Sequence, residues 1–88
     1  MDITFDPAKN KINEAKHGVS LELAESIEWD TLYATVDERQ NYGEVRIIGL
    51  AYIGDRLYCV VFVDRGEVRR IISLRKANSR EVKRYAEA

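Results

Sequence analysis

The sequence predicts an α+β fold: a small antiparallel β-sheet with two N-terminal helices and one C-terminal helix, in the order β-α-α-β-β-β-β-α. Three observations predict it. Strand-like runs fill residues 32–74, and two of the gaps between them are tight glycine turns. Capped segments with helical spacing stand at both ends of the chain. One run, Arg56 to Asp64, is apolar on both faces, as a central strand covered on two sides must be.

At the start, Ile3 and Phe5 alternate with polar residues and suggest a short strand. Asp6 then caps a helix whose first position suits Pro7, the only proline. Ala8, Ile12 and Ala15 recur on one face, Lys16 and His17 meet the negative end of the dipole, and Gly18 supplies a left-handed stop. The helix is expected over residues 7–16. Ser20 caps a second helix through about residue 28, with Glu22 in its first turn and Leu21, Ala24 and Ile27 as its apolar face.

Strands follow at Leu32–Val36, Val45–Ile53, Arg56–Asp64 and Val68–Leu74. Gly54-Asp55 and Arg65-Gly66 mark two hairpins, so the sheet reads as an antiparallel meander. In the third of these runs Tyr58, Val60 and Phe62 share one face, and Leu57, Cys59, Val61 and Val63 the other. Asn78 with Glu81 opens the last helix as a capping box, with Val82, Tyr85 and Ala86 as its apolar face.

Eighty-eight residues make one domain, here 1–88, with a limited core that a bound partner would stabilise. No apolar run reaches the roughly 20 residues of a membrane span, and no signal peptide precedes the first strand. One cysteine and one histidine argue against a disulfide or a structural zinc site, so no cofactor is expected and a reducing cytoplasm is the expected location. The net charge of −1 conceals an asymmetry: residues 1–64 carry 6 basic and 12 acidic side chains, and residues 65–88 carry 8 and 3. The basic third either gathers phosphates on one surface or simply solvates a strand and a helix.

Several pieces together resemble the BrnT family of toxins: Phe5-Asp6-Pro7-Ala8-Lys9, Asn13, Lys16-His17-Gly18-Val19-Ser20, Gly43-Glu44-Val45-Arg46 with Gly49, Arg65-Gly66, Arg70-Ile71-Ile72-Ser73-Leu74-Arg75-Lys76-Ala77, and Arg80-Glu81 with Tyr85. The resemblance runs through nearly the whole chain in order. It implies a RelE-like fold and cleavage of messenger RNA that slows translation. It further implies a BrnA antitoxin with a ribbon-helix-helix region, which alone would contact operator DNA. Val63 departs from the family pattern, where a threonine is common, and Phe5 lies where a tryptophan is.

A metal-free ribonuclease must deprotonate a 2′-hydroxyl, stabilise a charged phosphorane and protonate the leaving oxygen. Arg46 and Arg75 are the expected phosphate ligands at the reacting centre, with Arg65 at a turn as a third. Arg70 and Lys76 lie on or beside the same strands. Strict alternation groups Arg69, Ile71, Ser73 and Arg75 on one face and Val68, Arg70, Ile72 and Leu74 on the other, so Arg70 and Arg75 meet only if a bulge intervenes. His17 is the side chain that titrates near neutrality; it either takes part in proton transfer or merely ends the first helix. Lys16 either binds phosphate or solvates that helix end. Glu44 serves as a base if burial raises its pKa, and otherwise pairs with Arg46. Tyr85 stacks a base or packs in the core, and Arg80 opposes the dipole of the last helix in a place suited to RNA or an acidic partner. Cys59 and Trp29 read as packing residues. Besides the toxin, two other functions fit: a non-catalytic partner-binding module on the same fold, and a nucleic-acid-binding regulator.

Overall fold

The computed structural model describes residues 1–88. In chain order the elements are β1 (Asp2–Thr4), α1 (Pro7–His17), a 3₁₀ segment (Leu21–Ser26), a second short one (Trp29–Thr31), β2 (Tyr33–Val36), β3 (Ile47–Ile53), β4 (Arg56–Arg65), β5 (Val68–Lys76) and α2 (Ser79–Glu87). The five strands form one sheet in the order β1-β5-β4-β3-β2, with β4 central as its two apolar faces require.

The α+β class and the β2-to-β5 meander stand, but the sheet is mixed. β1 joins the outer edge of β5 in parallel, pairing Asp2 with Val68 and Thr4 with Arg70. No turn links β1 directly to β5, so nothing local imposes the antiparallel sense that hairpins impose on the other pairs. The second N-terminal helix is 3₁₀ rather than α. Leu21, Ala24 and Ile27 recur at intervals of three, which a 3₁₀ segment places in one line, and all three are buried. The strand expected from Val45 begins at Ile47, and the last strand runs on to Lys76.

Caps define both α-helices. The Asp6 carboxylate accepts from the Ala8 N–H at 2.8 Å, and Gly18 closes α1 at φ 69°, where a side chain would be strained. Asn78 and Glu81 form the expected capping box, each accepting from the other's backbone N–H at 2.9 Å.

The expected apolar stripes of the helices are not what they bury. On α1, Ala8, Ile12 and Ala15 all face solvent, and the buried residue is Asn13. Its amide donates to the Val19 carbonyl (2.9 Å) and the Leu74 carbonyl (2.8 Å), and its oxygen accepts from the Leu74 N–H (3.2 Å). Asn13 thus acts as a strand substitute on the stretch of β5 edge that β1 is too short to reach. On α2, Glu81 is buried while Val82 and Ala86 are exposed, because the inward face of that helix meets an arginine of β5.

Two apolar clusters lie on the two faces of the sheet. The larger joins Val60, Phe62, Ile71 and Leu74 to Leu21, Ala24 and Ile27, with Trp29 edge-on to Phe62 at 5.4 Å. The smaller joins Leu50, Leu57, Cys59 and Ala77 to Tyr52 and Tyr85 beneath α2. Gly49 leaves the space that the Leu32 side chain fills.

Candidate active site

The second face of the sheet is covered by α2 at one end only; the open remainder carries the basic side chains. Strand register sets which ones. Leu50, Cys59 and Arg75 form one cross-strand row, and Ile48, Val61 and Ser73 the next. Between Val61 and Phe62 the ladder shifts: Val61 pairs with Ser73, but Phe62 pairs with Ile71, leaving Ile72 unpaired. This is a β-bulge. Beyond it Val63 pairs with Arg70, so Arg70 lies on the face of Ser73 and Arg75. The strictly alternating grouping is corrected accordingly. Ile71 and Leu74 share the opposite, core face, both fully buried, and Arg69 goes with them. Arg46, one residue before β3 and in step with Ile48 and Leu50, completes the outer row beside Val63. The Arg46–Val63–Arg70 row and the Cys59–Arg75 row lie four β4 residues apart, roughly 13 Å.

A cleft of about 280 Å³ opens on this face. Lys16, His17, Arg39, Ser73 and Arg75 line it, over a floor of Ile48, Cys59 and Val61. No carboxylate is among them. The C-terminus of α1 delivers Lys16 and His17, because Asn13 pins that helix to β5 one turn earlier. Burial, then the charges of Lys16 and Arg75, lower the pKa of the half-buried His17 below its ordinary 6.5. The shift favours the neutral imidazole, the form able to accept a proton.

Arg75 is anchored from behind. Its guanidinium forks onto Glu81, at 2.8 and 2.9 Å, and Glu81 is 8% exposed. That bond holds the Glu81 carboxyl below its usual range. The pairing fixes the arginine and docks α2 to β5 in one contact.

Arg39 reaches the cleft from the loop between β2 and β3. The buried Asp37 carboxylate accepts from its Nε and from one terminal nitrogen, each at 2.8 Å, and from the Tyr42 hydroxyl at 3.2 Å. Those bonds hold the Asp37 carboxyl far below the usual carboxylate range. Arg46 lies over the Tyr42 ring at 3.9 Å, and its Nε is buried with no partner. Sequence reasoning passed over Arg39 and used Ser73 only for its face. The available sign was the Asp37-x-Arg39 spacing, with the one basic residue between the first two long strand runs.

The structure therefore gathers His17, Lys16 and Arg75 in one cleft and places Arg46 and Arg70 in the row beside it. The other candidates lie outside the cleft and that row, with Arg65 two residues beyond Val63 on the same face. Glu44 is exposed and pairs with Arg65 (2.9 Å) rather than with Arg46, and that hydrogen bond lowers its pKa instead of raising it. Lys76 pairs with Tyr58 and so falls on the opposite face from Arg75. Arg80 is exposed on the first turn of α2 with no ion pair. Tyr85 is committed to packing, edge-on to Tyr52 at 5.4 Å with its hydroxyl donating to the Thr31 carbonyl at 3.0 Å. Arg70 has Asp6 at 4.0 Å. No three His, Cys, Asp or Glu side chains cluster as metal ligands, and no helix is long and apolar enough to cross a membrane.

Residues 5–81 match the family model described as "Ribonuclease toxin, BrnT, of type II toxin-antitoxin system". No curated protein matches the chain. A type II system implies a protein antitoxin as partner, and a ribonuclease toxin accords with a basic cleft that holds a histidine. The match spans most of the chain, which belongs to the BrnT family of ribonuclease toxins of type II toxin–antitoxin systems.

Proposed function

We propose that residues 1–88 form one metal-independent endoribonuclease domain that cleaves messenger RNA in the cytoplasm and so slows translation. A BrnA-type ribbon-helix-helix antitoxin neutralises it and alone brings the pair to operator DNA. The observation that carries the chemistry is the meeting of His17 with Arg39, Lys16 and Arg75 in one cleft free of carboxylates. An RNA strand crosses the open face with one phosphate in that cleft and another, further along the strand, at Arg46 and Arg70. Neutral His17 takes the proton of the 2′-hydroxyl, and the freed oxygen attacks phosphorus. Arg39, Arg75 and Lys16 neutralise the phosphorane. The bond to the 5′-oxygen breaks, leaving a 2′,3′-cyclic phosphate, and the leaving oxygen takes its proton from water in the open cleft.

A second reading, the non-catalytic partner-binding module, is favoured by one feature: the guanidinium fork of Arg75 is already engaged by Glu81. RNA cleavage by protein freed of any partner decides between them. The parent is compared with His17→Gln and with an Arg46→Ala/Arg75→Ala double variant, each checked for fold by circular dichroism. Cleavage by the parent, lost in both folded variants, is the expected result. A folded parent that cleaves nothing, with or without ribosomes, selects the module.

A further inference from the structure

A second groove, of about 230 Å³, runs along the outer side of α1 and shares Lys16, His17 and Ser73 with the cleft. Its other walls are Lys9, Ile12 and Asn13 from α1 and Ile72 from the bulge. Ile12 is 65% exposed, an aliphatic side chain on a helix face that buries nothing of its own except Asn13. Ile72 faces the groove because the bulge takes it out of the ladder. The groove is smaller than the pockets that enclose drug-sized ligands and has room for an apolar side chain. Every charge that lines it is positive or, at His17, can become so.

We propose that this groove docks the antitoxin, through a segment that inserts one apolar side chain between Ile12 and Ile72 and sets acidic side chains against Lys9 and Lys16. The proposal rests on the family assignment, which implies a protein antitoxin, and it does not require that the cleft be catalytic. Charge complementarity argues for an acidic segment, and exposed Ile12 facing half-buried Ile72 across the groove argues for an apolar anchor. The shared wall gives the mode of inhibition: a segment seated here lies against Lys16 and His17 and closes one side of the cleft to RNA. Exposed Ile12 is then an interface residue, which explains an apolar side chain where α1 has no core to face.

The test uses the full chain and its cognate type II antitoxin. Affinity between the two is measured for the parent and for Ile12→Glu and Lys9→Glu, both at exposed positions that the fold does not need. RNA cleavage and molar mass of the partner-free proteins are measured alongside. The expected result is a loss of affinity of roughly 30-fold for Ile12→Glu, a smaller loss for Lys9→Glu, and unchanged cleavage and mass. Unchanged affinity in both variants overturns the proposal. So does a loss of RNA cleavage with affinity intact, which assigns the groove to the nucleic acid, or a change of mass in the free chain, which assigns it to a second copy. Affinity is read without reference to cleavage, so a parent with no ribonuclease activity leaves this result interpretable.

Discussion

Arg70 and Arg75 lie on the same face of β5 although they stand five positions apart, because the bulge at Ile72 inserts one unpaired residue between them. Regular alternation would have sent one to the core side. The bulge therefore lengthens the basic surface to reach from the cleft to the row of Arg46.

Arg70→Ala is expected to weaken RNA binding and to reduce the slope of log affinity against log salt by roughly 0.7, the share of one phosphate contact on a single strand. Arg69→Ala is the matched control. Arg69 lies on the opposite face, over Phe62 at 4.2 Å and Trp29 at 4.7 Å, and pairs with Asp64 at 2.7 Å. Its loss is expected to leave the salt slope unchanged and to cost about 1 kcal/mol of stability. Equal slopes for parent and Arg70→Ala would remove Arg70 from the RNA surface.

Asn13→Ala is expected to be among the most damaging substitutions on α1, despite that helix's modest apolar content. It leaves the Leu74 N–H and C=O and the Val19 C=O without the partner that Asn13 supplies. Loss of about 3 kcal/mol follows from stranding buried backbone groups. Urea unfolding measures it, and a shift within the range of an ordinary surface substitution would show that water replaces the carboxamide.

Acid is expected to loosen α2. The pKa of Glu81 is lowered from 4.5, chiefly by its hydrogen bonds to Arg75. The unfolded chain therefore takes up the proton first as the pH falls. The stabilisation is complete above about pH 4.5 and is lost as the pH drops through the folded value. Thermal midpoints from pH 7 to pH 3 should fall for the parent, and Glu81→Gln should start lower and fall less. Parallel curves for the two proteins would assign the acid sensitivity to Asp37 and Asp64, whose carboxyls their arginine partners also hold low.

His17→Gln is expected to lower the cleavage rate by about 10²- to 10⁴-fold, the usual worth of a general base. In the parent, the rate should rise with pH and level off, with a midpoint below 6.5 because burial and the neighbouring cations favour the neutral ring. The variant should lose that limb. A pH profile that keeps it after the substitution points to another base.

The local chemistry of the elements was legible in the residues. Asp6-Pro7 and Gly18 bound one helix, Asn78 and Glu81 cap another, and Gly54 and Gly66 turn the hairpins at φ 61° and 62°. These are short-range effects: a cap or turn is decided by the few residues that make it. The apolar run of β4 likewise announced a central strand. His17, Lys16 and Arg75 were legible as candidates by their chemistry and by the family resemblance, though not as neighbours.

What only the tertiary structure decided is which of those residues meet. The bulge at Ile72 arises in pairing with β4, and one inserted residue reverses every facing assignment beyond it. Asn13 is buried because it completes a sheet edge sixty-one residues away, and Glu81 because Arg75 is there to receive it. Arg39 joins the cleft because Asp37 folds its loop inward. Periodicity reads the repeat of a backbone with itself, whereas these positions depend on contacts between distant segments, which only the folded chain brings together.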